Sequence, residues 1–178
     1  PPVERLFVNE ARDEYIDVDR ATAQKIEYLL EHNLTGVDDL EALFAQGDKI
    51  QGANCHKTAL YLTGEYSEEQ LLASDNDSPE TAGHSYIEGH SHIFSDTKQF
   101  EDALRRHAFP FRISFFKDKD GKPFAYHSIT VVGVSSKGRL VAFEKEGPYA
   151  DNPFRYTDAS STLSAYLLRG HSVGISSS

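Results

Sequence analysis

Apolar residues in the first half of the chain recur at helical spacing. Three or four positions separate them in the segment RATAQKIEYLLE, which predicts a helix over residues 20–31 with Asp19 as its N-cap. The same spacing predicts a helix over residues 37–46 and another that begins at Cys55 and stops at Gly64. The N-terminal part of the chain is therefore expected to be mainly helical.

The segment from residue 64 to residue 102 has a different character, because it contains ten acidic residues against the single base Lys98. After a short helical turn in SEEQLL, residues 74–96 combine turn-forming residues with no periodicity. We expect a polar, acidic insertion that runs over the surface as a long loop. Helical spacing then returns over residues 97–107.

Further along the chain the hydrophobic period changes to two, which is typical of strands. Residues 110–118, 124–134 and 139–147 read as three strands joined by turns at DKDGK and SSKG, and residues 160–169 read as a last helix. Helices followed by an antiparallel meander predict an α+β fold, with N-terminal helices packed on a C-terminal antiparallel sheet. Residues 1–178 are expected to form a single domain, since no linker or repeat divides them.

Composition narrows the classes of partner. With 18 Lys and Arg against 28 Asp and Glu, the formal net charge is −10, which argues against nucleic acid as a partner. The apolar runs are too short to span a membrane, and the one cysteine excludes an internal disulfide and a cysteine-cluster zinc site. Because the chain begins with Pro1 and has no methionine, we expect that a preceding segment was removed. The sequence does not determine the cellular compartment, and a secreted or extracytoplasmic location is our expectation.

Three residues carry the candidate chemistry. Cys55 is predicted at a helix N-terminus, where free N–H groups and the helix dipole favour a thiolate. His127 opens the apolar strand HSITVVGV on the same side as its buried positions, so it needs a polar partner. On the next strand Glu144 and Glu146 share one side, and a carboxylate there can hold the imidazole. We favour Glu144, because it lies within the apolar strand and Glu146 falls in the turn before Gly147.

The segments QGANCHKTALYL, YHSITVVGV and LVAFEKEG resemble the papain-like cysteine peptidase superfamily, which includes NlpC-type and CHAP-type amidases. In that family the nucleophilic cysteine opens a helix, the histidine begins a strand, and an Asn, Asp or Glu follows on the next strand. The resemblance implies a papain-like fold and a Cys55, His127 and Glu144 triad. It also implies that Gln51 supplies the oxyanion hole, with Asn54 as the substitute.

The mechanism implied is that of a thiol hydrolase without a cofactor. His127 would take the thiol proton, Cys55 would attack a carbonyl carbon, and a thioester would form and be hydrolysed. This predicts a cysteine peptidase or amidase that cleaves or deamidates an amide bond in a peptide or protein. Cell-wall peptide and a host protein are both candidate substrates. An amine acceptor would instead make the protein a transglutaminase or acyltransferase.

Histidines near these residues allow two other interpretations. His84, His90 and His92 lie near Glu88 and could ligate a divalent metal, although a solvated acidic loop is the commoner explanation. His56 is discounted as the base, because adjacent helix positions point in different directions.

Two further classes remain. A non-enzymatic binding module would use the acidic loop to contact a basic partner and leave Cys55 inert. An OTU-like deubiquitinase ranks lower, because the acid of that family's Asp-Gly-Asn-Cys box is missing from the segment QGANC.

Overall fold

The computed structural model describes residues 2–32, 54–72, 83–147 and 152–176. The predicted helix over residues 37–46 and the candidate Gln51 lie outside the described residues, and so do residues 74–82 of the acidic insertion. No helix in the described ranges is long and apolar enough to cross a membrane.

Six helices are described, and each is short. They are α1 (Arg20–His32), α2 (Cys55–Leu62), α3 (Glu68–Leu72), α4 (His84–Gly89), α5 (Thr97–Arg106) and α6 (Ala159–Leu168). Acidic or amide side chains begin several of them: Asp19 Oδ1 accepts from Thr22 N at 2.7 Å before α1. Asp158 Oδ1 likewise accepts from Ser161 N at 3.0 Å before α6. These caps satisfy N–H groups that a first helical turn leaves without a partner.

The described strands form two sheets. They are β1 (Val3–Phe7), β2 (Tyr15–Asp19), β3 (Ser91–Phe94), β4 (Phe111–Lys119), β5 (Lys122–Val134), β6 (Leu140–Lys145), β7 (Phe154–Asp158) and β8 (Ser172–Ser176). The first two make a hairpin, and the other six form one sheet in the order β3-β8-β4-β5-β6-β7, in which every neighbouring pair is antiparallel.

Both faces of the larger sheet are covered. Successive side chains along β5 point to opposite faces of the sheet, so Val131 lies on one face and Val132 on the other. The Val132 face packs against α1 and α2, with the β1–β2 hairpin beside them. The Val131 face packs against α5 and α6. Strand β5 therefore lies in the middle of the molecule, with helices on both sides.

The predicted α+β class is confirmed, with helices and a six-stranded antiparallel sheet. The helices α1, α2, α5 and α6 and the meander β4–β6 were all predicted within a few residues of their observed bounds. The hairpin β1–β2 and the strands β7 and β8 were not predicted; β7 is an edge of the six-stranded sheet, and β8 lies between β3 and β4. The prediction of N-terminal helices packed on the sheet agrees with α1 and α2, whereas α5 lies with α6 on the opposite face of the sheet.

The acidic insertion needs a correction. The prediction of one long surface loop over residues 74–96 is wrong for its described part, which contains α4 and β3. His84 and Ile87 on α4 are buried, and β3 pairs with β8 at the edge of the sheet. Both elements are too short for a hydrophobic period to show, and pairing with β8 satisfies the backbone of β3 regardless of its side chains.

Candidate active site

Cys55 is the first residue of α2 and is 8% exposed. The helix begins there because Asn54 has extended backbone and its Oδ1 accepts from Lys57 N at 2.8 Å. The backbone N–H groups at the start of the helix have no partner within it, and the helix dipole favours negative charge at this end. The sulfur therefore lies where a thiolate is stabilised.

His127 lies near the start of the buried part of β5 and is 6% exposed. Its ring packs parallel to that of Tyr166 on α6, with centroids 5.5 Å apart and planes 9° apart. Tyr166 stacks in turn on Phe115 of β4. The imidazole thus has one face held by aromatic side chains, and its edges are left for polar partners.

Glu144 supplies one of those partners. Its Oε2 lies 3.5 Å from His127 Nε2, and the carboxylate is only 3% exposed. Arg155 on β7 donates from Nη2 to Glu144 Oε1 at 3.1 Å. Glu144 is therefore fixed between a histidine and an arginine, which offsets the cost of burying its charge.

The charges of these groups reinforce one another. Burial by itself raises the pKa of Cys55, but the nearby His56 and His127 together hold it well below its usual value. Burial lowers the pKa of His127, while the charges and hydrogen bonds of Cys55 and Glu144 raise it to about 10. The pKa of Glu144 is lowered, since His127 and Arg155 outweigh the effect of its burial. A thiolate facing an imidazolium is the arrangement that these shifts favour.

A cavity of about 240 Å³ opens beside the thiol. Its walls contain the candidate pair together with two tyrosines and the turn after β6: Asn54, Cys55, Tyr126, His127, Glu146, Gly147 and Tyr166. Burial raises the pKa of the Tyr166 hydroxyl to about 12 with help from Glu144 and Cys55, so the phenol stays neutral. A substrate in this cavity would reach both the sulfur and the imidazole.

Of the two candidates for the oxyanion hole, Asn54 lines the cavity beside Cys55. Its Oδ1 caps α2 by accepting from Lys57 N, so the amide nitrogen is the one donor of this side chain. Glu146 also lines the cavity, but it lies beyond the end of β6, is 37% exposed at its side chain, and pairs with Arg155 Nη1 at 2.6 Å.

His56 is not on the cavity. Its side chain is fully buried between α2 and the sheet, where Nδ1 lies 2.8 Å from Ser128 Oγ. It therefore points away from the cavity, as the sequence analysis expected. It is nevertheless close enough to Cys55 to lower the pKa of the thiol, an influence that the sequence analysis did not anticipate.

The three histidines of the acidic segment have separate surroundings. His84 packs against His56 and Phe124, and its Nδ1 lies 3.8 Å from Glu88 Oε1. His90 stacks on Tyr86, and His92 packs against Phe94. The described part of the chain contains no group of three or more His, Cys, Asp or Glu placed to hold a metal ion.

Two supporting residues were missed by the sequence analysis. Arg155 lies on β7, a strand that was not predicted, so nothing placed it opposite Glu144. Tyr166 lies on the predicted last helix, but its contact with His127 joins residues far apart in the chain. An aromatic residue on a helix following the meander was the only available signal for Tyr166, and that signal is unspecific.

Comparisons with known proteins give no relative. No family model matches the chain, and neither the curated proteins nor the solved structures include a significant match.

Proposed function

We propose that the protein is a thiol hydrolase that cleaves or deamidates amide bonds in a peptide or protein. One observation carries the proposal: Cys55 at the start of a helix lies with His127, whose Nε2 is 3.5 Å from the buried Glu144, at the wall of an open cavity. Nucleophile, base and orienting carboxylate in this order are the parts that thiol-dependent acyl transfer requires. The same arrangement supports a papain-like fold.

The first half of the reaction makes a thioester. Because Nε2 of His127 faces Glu144, Nδ1 is the nitrogen that takes the proton from Cys55 Sγ. The thiolate attacks the carbonyl carbon and forms a C–S bond, and the carbonyl oxygen becomes an oxyanion. We assign the stabilisation of that oxyanion to the backbone N–H of Cys55, and Asn54 stays the side-chain candidate. As the C–N bond breaks, the proton on His127 goes to the leaving amine.

The second half releases the acyl group. A water molecule gives a proton to His127 as its oxygen attacks the thioester carbon, and the C–S bond then breaks to return the sulfur and the carboxylic acid product. Glu144 keeps the imidazole in one orientation through both halves, while Tyr166 prevents the ring from tilting. When the leaving amine is ammonia from a glutamine or asparagine, the result is deamidation.

The test uses the only thiol in the sequence. Alkylation of Cys55 by iodoacetamide, followed by intact mass, reports on one site without interference. We expect alkylation to remain fast at pH values well below about 8.5, where an ordinary thiol is protonated. The protein unfolded in denaturant is the matched control. In the folded protein His127→Ala should move the pH profile towards that control.

Turnover is tested with a panel of peptide and protein substrates analysed by mass spectrometry, with and without an added primary amine. Cys55→Ala should abolish every product. Products with added water support the proposed hydrolase, and products that incorporate the amine would replace it with an acyltransferase. A wild-type pH profile equal to that of the unfolded control would reject a thiol enzyme and favour a binding module.

A further inference from the structure

The residues that directly follow Cys55 and His127 in the sequence also contact each other. Cys55 and His56 are consecutive on α2, and His127 and Ser128 are consecutive on β5. His56 Nδ1 lies 2.8 Å from Ser128 Oγ, and both side chains are completely buried. Because neighbouring strand residues point to opposite faces, the first turn of α2 engages both faces of β5.

The contact continues into the sheet as a chain of hydrogen bonds. Ser128 Oγ lies 2.7 Å from Ser114 Oγ on β4, and Arg112 Nη1 donates to Ser114 Oγ at 2.7 Å. Arg112 is fully buried and makes two hydrogen bonds to Glu65, from Nε at 3.0 Å and from Nη2 at 2.9 Å. Ser128 is therefore connected through Ser114 to the buried ion pair of Arg112 and Glu65.

One end of the chain has a fixed direction, because a guanidinium only donates and Ser114 Oγ must accept from Arg112. When Ser114 accepts from Arg112, its own proton is available to Ser128, and the proton of Ser128 is then available to His56. In this arrangement each hydroxyl of the chain both donates and accepts one hydrogen bond. Buried hydrogen bonds of this kind favour one arrangement over others.

We propose that His56 is a positioning residue for Cys55 and His127. The hydrogen bond between His56 Nδ1 and Ser128 Oγ fixes the position of α2 relative to β5. It therefore keeps the sulfur of Cys55 next to the imidazole of His127 throughout the reaction. The inference rests on the proposed function and deepens it. It assigns His56 no contact with the substrate, because His56 is fully buried and does not line the cavity.

Other ionisable groups face the two histidines, and the experiment must separate them from His56. On α4, His84 contacts the His56 ring edge-on with centroids 4.5 Å apart, and Glu88 lies beyond it. On the side of the thiol, the facing groups are His127, Glu144 and Tyr166. The variants below leave all of these unchanged.

The experiment measures the pH profile of Cys55 alkylation in two variants that remove the same bond from either side, His56→Phe and Ser128→Ala. At about pH 6, each should slow alkylation roughly fivefold to tenfold, the factor expected for one lost hydrogen bond. Each should also raise the pKa read from the profile. The double variant should be no slower than the slower single variant, since both remove one interaction.

Matched controls come from the same two elements. Thr58 on α2 and Thr130 on β5 are fully buried, and neither hydroxyl has a hydrogen-bond partner among the described residues. Thr58→Val and Thr130→Val should therefore leave the alkylation profile unchanged. His56→Asn places an oxygen near the position of Nδ1 and should restore alkylation to within about twofold of wild type, which a role in packing alone would not do.

Every outcome decides the inference. Single variants that match the controls, or singles whose effects multiply in the double variant, would overturn the positioning role while leaving the proposed function intact. A wild-type profile like that of the unfolded chain would overturn both proposals. If His56→Phe fails to fold by circular dichroism, Ser128→Ala and His56→Asn still carry the comparison, because neither adds volume to the core.

Discussion

Two glutamates near the same histidine have very different surroundings. Glu144 lies within β6, is 3% exposed, and faces both His127 and Arg155. Glu146 is outside the strand and meets only Arg155 among the ion pairs of the described residues. The preference for Glu144 in the sequence analysis depended on its place within the apolar strand, and burial there gives a carboxylate a stronger electrostatic effect.

The first prediction compares Glu144→Gln with Glu146→Gln, which remove the same charge at two positions. Glu144→Gln should slow turnover roughly tenfold to hundredfold, the factor for a hydrogen bond to a charged group. Because the carboxylate raises the pKa of His127, that pKa should fall in Glu144→Gln, and the upper pH limit of activity should fall with it. Cys55 should remain open to alkylation.

Glu146→Gln is the matched variant, since it also leaves Arg155 with one carboxylate fewer. Its effect on kcat should be a few-fold at most, and the upper pH limit should stay where it is in wild type. The pH–rate profiles of both variants provide the measurement. A larger loss in Glu146→Gln would transfer the orienting role to that residue.

Whether the sequence predicts a site residue depends on how far apart along the chain its contact partners lie. Cys55, His127 and Glu144 were identified because a helix start and two adjacent strands place them by local pattern alone. Arg155, Tyr166 and the His56–Ser128 bond depend on which elements pack together, and no periodicity contains that information. Gln51 lies outside the described residues, so its role in an oxyanion hole stays a prediction.

At the scale of elements, length separates the successful predictions from the others. α1 and β5 have 13 residues each, long enough for several repeats of their period. The missed strands β1, β2, β7 and β8 have five residues each, too few to establish alternation against their surroundings. Their positions are determined by backbone pairing and by contacts with distant residues.

The β1–β2 hairpin is attached to the sheet by a buried carboxylate. Glu14, just before β2, accepts hydrogen bonds from Ser135 Oγ at 2.5 Å and from Arg139 Nε at 2.9 Å. These two hydrogen bonds, opposed by burial, lower the pKa of Glu14 from 4.5 to about 2. Ser136 N also donates to Tyr15 O at 2.8 Å. The connection between β5 and β6 therefore holds the hairpin.

The second prediction follows from the sign of that shift. A carboxyl group whose pKa is lowered by folding stabilises the protein above its unfolded pKa, and the contribution is lost as pH falls from about 4.5 towards about 2. Glu14→Gln should therefore lower the urea midpoint at neutral pH, and the gap to wild type should narrow across that acidic range. Urea unfolding at several pH values provides the measurement.

Glu10→Gln is the control for this experiment, because Glu10 is an exposed acid in the same loop. It should leave the midpoint almost unchanged at every pH. A gap between Glu14→Gln and wild type that stays constant as the pH falls would show that the carboxylate of Glu14 does not gain its stability from ionisation.

At the scale of the whole molecule, two opposite charges act on the thiol. The formal net charge of −10 creates a field that repels anions over long distances. Close to the sulfur, the protonated His127 provides a positive charge in a buried setting, where salt screens it much less. The distant field and the local charge can therefore be separated by changing the ionic strength.

The third prediction uses alkylating reagents of similar size and opposite charge, iodoacetate and a cationic haloacetamide. At about 0.01 M salt, where the screening length is about 30 Å, the net charge should favour the cationic reagent. At about 1 M salt the screening length is about 3 Å, so the ratio of the two rates should shift towards iodoacetate, which the buried imidazolium still attracts. Neutral iodoacetamide serves as the reference and should change little with salt. A ratio that stays the same at both salt concentrations would mean that the acidic surface does not influence approach to Cys55, and that any selection of charged substrates is made by the side chains lining the cavity.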